Sequence, residues 1–88
     1  MKKDKKRDSN MNIVLDAEKL NDKETAHDYL AEVLSLPDYY GKNLDALYDC
    51  VSEMNIEMIS IVNSNKGEFY YFKILEVFED CGINIEYQ

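Results

Sequence analysis

The sequence predicts an α/β fold, a small three-stranded parallel sheet packed with helices in the order β-α-α-β-α-β. Three short runs rich in Ile, Val and Tyr, at 11–16, 56–62 and 83–87, read as strands. Between them, apolar residues recur at i, i+3 and i+4, which is helical spacing. Each strand-to-strand connection therefore contains a helix. Parallel strands joined by right-handed crossovers are the economical solution.

Eighty-eight residues make one small domain with a modest core. The net charge of -8 is unevenly spread. Residues 1–10 hold five Lys/Arg against two Asp, a net of +3, and residues 11–88 hold five Lys against sixteen Asp/Glu, a net of -11. Residues 1–10, with no apolar residue after Met1, read as a disordered basic tail, and 11–88 as the folded domain. A body this acidic repels nucleic acid and anionic membrane and attracts basic proteins. No apolar run approaches the ~20 residues that span a bilayer, and no signal peptide is visible. Two cysteines, Cys50 and Cys81, make no disulfide framework. A reduced, cytoplasmic protein is expected, monomeric when free.

Met11–Asp16 is a short, β-branched, near-continuous apolar run, expected to be a strand buried on both faces. Residues 17–22 are polar and contain the Asn21-Asp22 turn signal, with Asp22 as a helix cap. Lys23 to Ser35 reads as the first helix, because Ala26, Tyr29, Leu30, Val33 and Leu34 form one stripe. Pro37 disfavours helical geometry at Leu36 and ends it. His27, beside that stripe, has no companion ligands for a metal and reads as structural rather than catalytic.

Gly41 supplies a flexible or positive-φ turn position, and Asn43 caps a second helix from about Leu44 to about Glu53. Leu44, Leu47, Tyr48, Cys50 and Val51 share one side; Asp45, Asp49, Ser52 and Glu53 share the other. Asp45 is favoured by the positive end of the helix dipole. Asp49 lies one turn on, where that benefit has faded, and it repels Asp45. A solvated helix face explains this pattern, and so does a preformed anionic surface for a cationic partner. Tyr39 and Tyr40 beside it favour the second, since aromatics concentrate at interface centres.

Ile56–Val62 reads as the second strand, followed by the turn formers Asn63-Ser64-Asn65-Lys66-Gly67. Glu68 to Cys81 reads as the last helix, with Tyr71, Ile74, Leu75 and Phe78 as its core stripe and Phe72 and Val77 on the flanks. Gly82 suits a helix C′ position, and Ile83–Tyr87 alternates as a third strand, at an edge.

The run Leu36-Pro37-Asp38-Tyr39-Tyr40-Gly41-Lys42-Asn43-Leu44-Asp45-Ala46-Leu47-Tyr48-Asp49-Cys50 resembles the signature segment of the barstar family of intracellular ribonuclease inhibitors. The likeness runs without a gap from about Asn12 to Met54 and takes in His27. It implies a helix-packed three-stranded sheet and a loop-helix inserted into the cationic active site of a basic, extracellular-type ribonuclease or ribonuclease toxin. On that resemblance Asp49 mimics a phosphate, Asp45 pairs with a neighbouring cation, and Tyr39 packs against the catalytic histidine or substrate rim. Asn43 and the backbone around Gly41 meet the guanine-site side. Tyr40, Tyr48 and Ser52 complete the surface, with Glu76, or Glu79, as the glutamate the family uses on its late helix. The chain departs from the family at Tyr48, where a tryptophan is common, at Ser52 for threonine, at Met54 for an aromatic, and in a middle region too short for the family's additional short helix.

No Gly-rich phosphate loop and no paired Cys or His spacing is present, so neither a cofactor nor a metal is expected. Asp45 and Asp49 on a convex helix are poorly placed for catalysis, which needs a cleft, so no enzymatic activity is expected. Two other readings stay open: an acidic interaction or immunity module of the same fold with a non-ribonuclease target, and an acidic metal- or substrate-binding protein.

Overall fold

The structure is a computed structural model that describes residues 11–88. The basic tail read in residues 1–10 lies outside the described residues. The elements are β1 (Met11–Asp16), α1 (Lys23–Val33), α2 (Leu44–Ser52), β2 (Ile56–Val62), α3 (Phe69–Asp80) and β3 (Asn84–Tyr87). All strand pairs are parallel, in the spatial order β1-β2-β3, so β2 is central and β1 and β3 are edges. This is the expected fold.

Register follows the two-residue period of a strand. Ile13 pairs with Ile59, Leu15 with Ile61, and Ile59 with Ile85. Leu15, Ile59 and Ile61 are fully buried against Leu30, Leu47, Ile74 and Phe78 from the three helices. Burying each such side chain is worth about 1.5–3 kcal/mol, so this layer is the main stabilising feature. Among the described residues, no helix covers the opposite sheet face. Val14 is 59% exposed, Asn12, Asn84 and Glu86 are exposed, and Met58, Ser60 and Val62 are half-buried. The expectation that β1 is buried on both faces is therefore corrected. Its apolar run is continuous, but the helices return to one side only.

Residues 17–22 also differ from a plain polar connection. Ala17–Leu20 forms a 3-10 turn, capped by the Asp16 carboxylate, that buries Ala17 and Leu20 completely. Asp22 caps α1 as expected, its carboxylate accepting the Thr25 N–H at 3.0 Å. That bond also holds the Asp22 carboxyl below the usual range. α1 ends at Val33, earlier than Ser35. Ser35 takes φ 53, its N–H bonds to the Glu32 carbonyl, and Leu36 N–H bonds to the Ala31 carbonyl. This is a Schellman ending. α3 closes the same way on Gly82 at φ 79, with Gly82 N–H to Glu79 and Ile83 N–H to Phe78. The turn formers after β2 give one 3-10 turn, Ser64–Lys66. Asn21 ties it down by donating to the Lys66 carbonyl at 2.9 Å and accepting from Glu68 N–H at 2.6 Å.

Candidate partner-binding surface

Two devices set the start of α2. The Asn43 side-chain oxygen accepts the Ala46 N–H at 2.7 Å, and its amide donates to the Gly41 carbonyl at 3.3 Å. The positive φ of this turn falls on Lys42 (φ 55) and not on Gly41, which corrects the sequence reading. A Cβ at Gly41 would fit tightly, 3.3 Å from the Ala46 Cβ and 3.4 Å from the Asn43 amide nitrogen. Lys42 Nζ lies 2.7 Å from Asp28 of α1, a pair that is half-exposed and holds the loop from outside.

The inner anchor is stronger. Tyr40 is only 7% exposed, and its hydroxyl lies 2.6 Å from Nδ1 of His27, which is fully buried on α1. The other ring nitrogen of His27, Nε2, lies 2.6 Å from the Tyr70 hydroxyl on α3. A neutral imidazole has one N–H and one bare nitrogen, so one tyrosine accepts and the other donates. This chain joins the loop, α1 and α3 and satisfies the one buried polar side chain among the described residues. Burial, then the Lys23 charge, push the His27 pKa below its ordinary 6.5, against a smaller upward pull from Asp28. Burial pushes the Tyr40 phenol far up. Tyr40, read from sequence as a contact residue, thus faces inward and positions the loop. Tyr70 was not singled out by the sequence. Its signal was weak: a tyrosine one residue off the α3 core stripe, with no periodicity linking it to His27.

What the loop and α2 present outward is aromatic and acidic. Tyr39 is 88% exposed. Asp45, Asp49 and Glu53 are exposed, and Tyr48 is 43% exposed at the edge of that face. Leu47 and Val51 are buried beneath, while Leu44, Ala46 and Cys50 are half-buried. The ion pairs among the described residues, Lys42–Asp28 and Lys66–Glu18, leave Asp45 and Asp49 without a cation. Ser52 is exposed and donates its hydroxyl to the Asp49 carbonyl at 3.0 Å. Beside this face a cavity of about 260 Å³ opens between the loop and the end of α2, walled by Leu36, Pro37, Tyr39, Cys50, Glu53 and Met54.

Glu76 is placed elsewhere. At the C-cap of α3, the Cys81 Sγ lies 4.0 Å from the Tyr48 carbonyl of α2. Glu76 is roughly 140° round α3 from Cys81 at ~100° per residue. It lines a groove with Glu79, Phe72 and Tyr87. The structure brings Tyr39, Asn43, Asp45, Tyr48, Asp49 and Ser52 together on one loop-helix and leaves Glu76 apart. Among the described residues, no group of three His, Cys, Asp or Glu side chains is arranged to hold a metal ion, and no helix is long and apolar enough to cross a membrane.

A family model described as Barstar (barnase inhibitor) matches residues 10–85. The chain belongs to the barstar family. It is also similar to a Bacillus subtilis (strain 168) protein named "Putative ribonuclease inhibitor YrdF", with 48% identity over 40 residues. That match covers 46% of this chain and 44% of the relative, so the chain aligns with less than half the length of that protein. Family membership agrees with the parallel three-stranded sheet.

Proposed function

We propose that this barstar-family protein inhibits a basic, barnase-like ribonuclease by laying the loop and α2 into its active site, and that it is not itself an enzyme. The observation that carries the reading is the exposed Asp45–Asp49 pair on a helix whose loop is pinned from beneath. Two carboxylates one turn apart, with no cation beside them among the described residues, repel each other. A site that binds RNA phosphate is cationic, and it relieves that repulsion on docking. Asp49 takes the place of a phosphate and accepts charge-assisted hydrogen bonds from active-site Arg and His, which are about twice as strong as neutral ones. Asp45 pairs with a neighbouring cation. Tyr39, almost wholly exposed, supplies the rigid aromatic contact, and Tyr48 adds part of its ring. Asn43 and the Gly41 backbone meet the base-binding side, and Ser52 sits at the rim.

Pre-organisation is the second half of the mechanism. The Asn43 cap, the Lys42–Asp28 pair and the His27–Tyr40 bond fix the loop before any partner arrives. Ordering cost on binding is correspondingly small. The net charge of -11 in residues 11–88 steers a basic partner and speeds encounter at low salt.

The test is RNA hydrolysis by barnase, and by basic ribonucleases of the same source, titrated with this protein at low and moderate salt. Stoichiometric inhibition, with an on-rate that falls as salt rises, is the expected result. A folded protein that inhibits none of them sinks the proposal. That outcome would favour a non-ribonuclease basic target, which the Tyr48, Ser52 and Met54 departures and the short Asn63–Glu68 connection would then explain.

A further inference from the structure

The outer side of α3 carries aromatic surface that the loop-α2 site does not use. Phe72 is 60% exposed, and Tyr87 at the end of β3 is 53% exposed. Between them lies a groove of about 410 Å³, floored by Leu75 and walled by Glu76 and Glu79. The connection that precedes α3 contains a single 3-10 turn, Ser64–Lys66, whose Ser64 also lines the groove. At ~100° per residue, Phe72 is half a turn round α3 from its C-cap Cys81, whose Sγ lies beside the Tyr48 carbonyl of α2. The groove therefore opens on a different side of α3 from that contact.

Two observations say what fits. Glu76 and Glu79 pair with no cation among the described residues. The same helix also shows a cation on an exposed ring, with Lys73 Nζ lying 4.8 Å from the Phe69 centroid. The Phe72 and Tyr87 rings have no such occupant among the described residues. An arginine or lysine combines the two requirements, with an apolar stem to lie on Leu75 and Phe72 and a cation to sit between a ring face and two carboxylates. We propose that this groove is a second docking surface, which takes an Arg- or Lys-bearing segment of a basic polypeptide independently of the loop-α2 surface. Nucleic acid is repelled by the same glutamates. A small neutral ligand would leave them unpaired.

The experiment is a two-dimensional amide NMR titration of the full chain with an acetylated hexa-arginine peptide. It is repeated on Asp49→Ala, Phe72→Leu and the Glu76→Gln/Glu79→Gln double variant. Phe72→Leu keeps the apolar bulk and removes the π face. The expected result is a set of shifts at Phe72, Leu75, Glu76, Glu79 and Tyr87 that persists in Asp49→Ala. Binding read from those peaks weakens roughly tenfold in Phe72→Leu and at least as much in the glutamine variant. Shifts confined to residues 39–53 would overturn the proposal, as would equal binding by Phe72→Leu. Two other occupants would also overturn it: a second copy, seen as concentration-dependent shifts without peptide, or the chain's own Lys2–Arg7, seen as contacts to Phe72 before peptide is added. All three variants alter exposed side chains and are expected to fold.

Discussion

The loop-α2 surface and the outer side of α3 are both acidic and aromatic, yet they are built differently. Tyr39, Asp45 and Asp49 stand on a segment fixed from below by a fully buried histidine, from the side by an ion pair and at its start by a helix cap. Glu76, Glu79 and Phe72 stand on a helix whose core face is packed but whose outer face touches little else. The first surface can deliver charges to fixed positions, which is what a tight inhibitor needs. The second offers chemistry without that support and suits a weaker contact. The difference shows that composition does not rank two patches. The scaffold beneath them does.

Substitutions can break or sharpen this contrast. The largest effect is expected at Asp49. Asp49→Ala should weaken ribonuclease binding by about 2–5 kcal/mol, the usual cost of leaving a partner charge buried and alone. Isothermal titration calorimetry reads it. The next effect is at the anchor. Tyr70→Phe leaves one His27 nitrogen without its partner, at about 1–3 kcal/mol. Urea unfolding should show this loss although Tyr70 lies on α3 and not on the loop-α2 segment. If stability is unchanged, the pinning of the loop is not what holds the site.

Acid should act on the same anchor. The His27 pKa is lowered in the folded state, so the unfolded chain binds the proton more readily. Its stabilising contribution is complete above the ordinary pKa of 6.5 and is lost as pH falls through the lowered folded-state value. An NMR titration of the His27 ring should give a midpoint below 6.5, and the Tyr39–Lys42 amides should move with it. A midpoint above 6.5 would reverse the sign. The helix cap comes next, with Asn43→Ala expected to cost about 1 kcal/mol in thermal or urea unfolding. At the bottom are Glu76→Ala and Glu32→Ala, each within about 0.5 kcal/mol of wild type in ribonuclease binding. A large loss at Glu76 would mean that the partner reaches round α3.

Much of this was legible in the sequence because local rules decide it. Asn43 caps a helix wherever an apolar stripe follows it, and Asp45 and Asp49 must then share its outer face. The strands were visible as β-branched runs. What the sequence left open was orientation. Tyr39 and Tyr40 are chemically equivalent in the chain. Only the turn that bonds Tyr40 N–H to the Pro37 carbonyl, with Lys42 in the left-handed region, sends one outward and the other to His27. Val14 is exposed for a related reason, since an apolar run does not say on which sheet face the helices will return. The carboxylate at Glu76 was legible as a residue but not as a direction, because that depends on which side of α3 meets Tyr48.

Asp49→Ala is to be compared with Glu32→Ala against one inhibited ribonuclease, with each variant first shown to be folded. Near-complete loss of inhibition in the first and wild-type inhibition in the second is the predicted result. Equal and small effects in both would contradict a mechanism in which α2 plugs the active site.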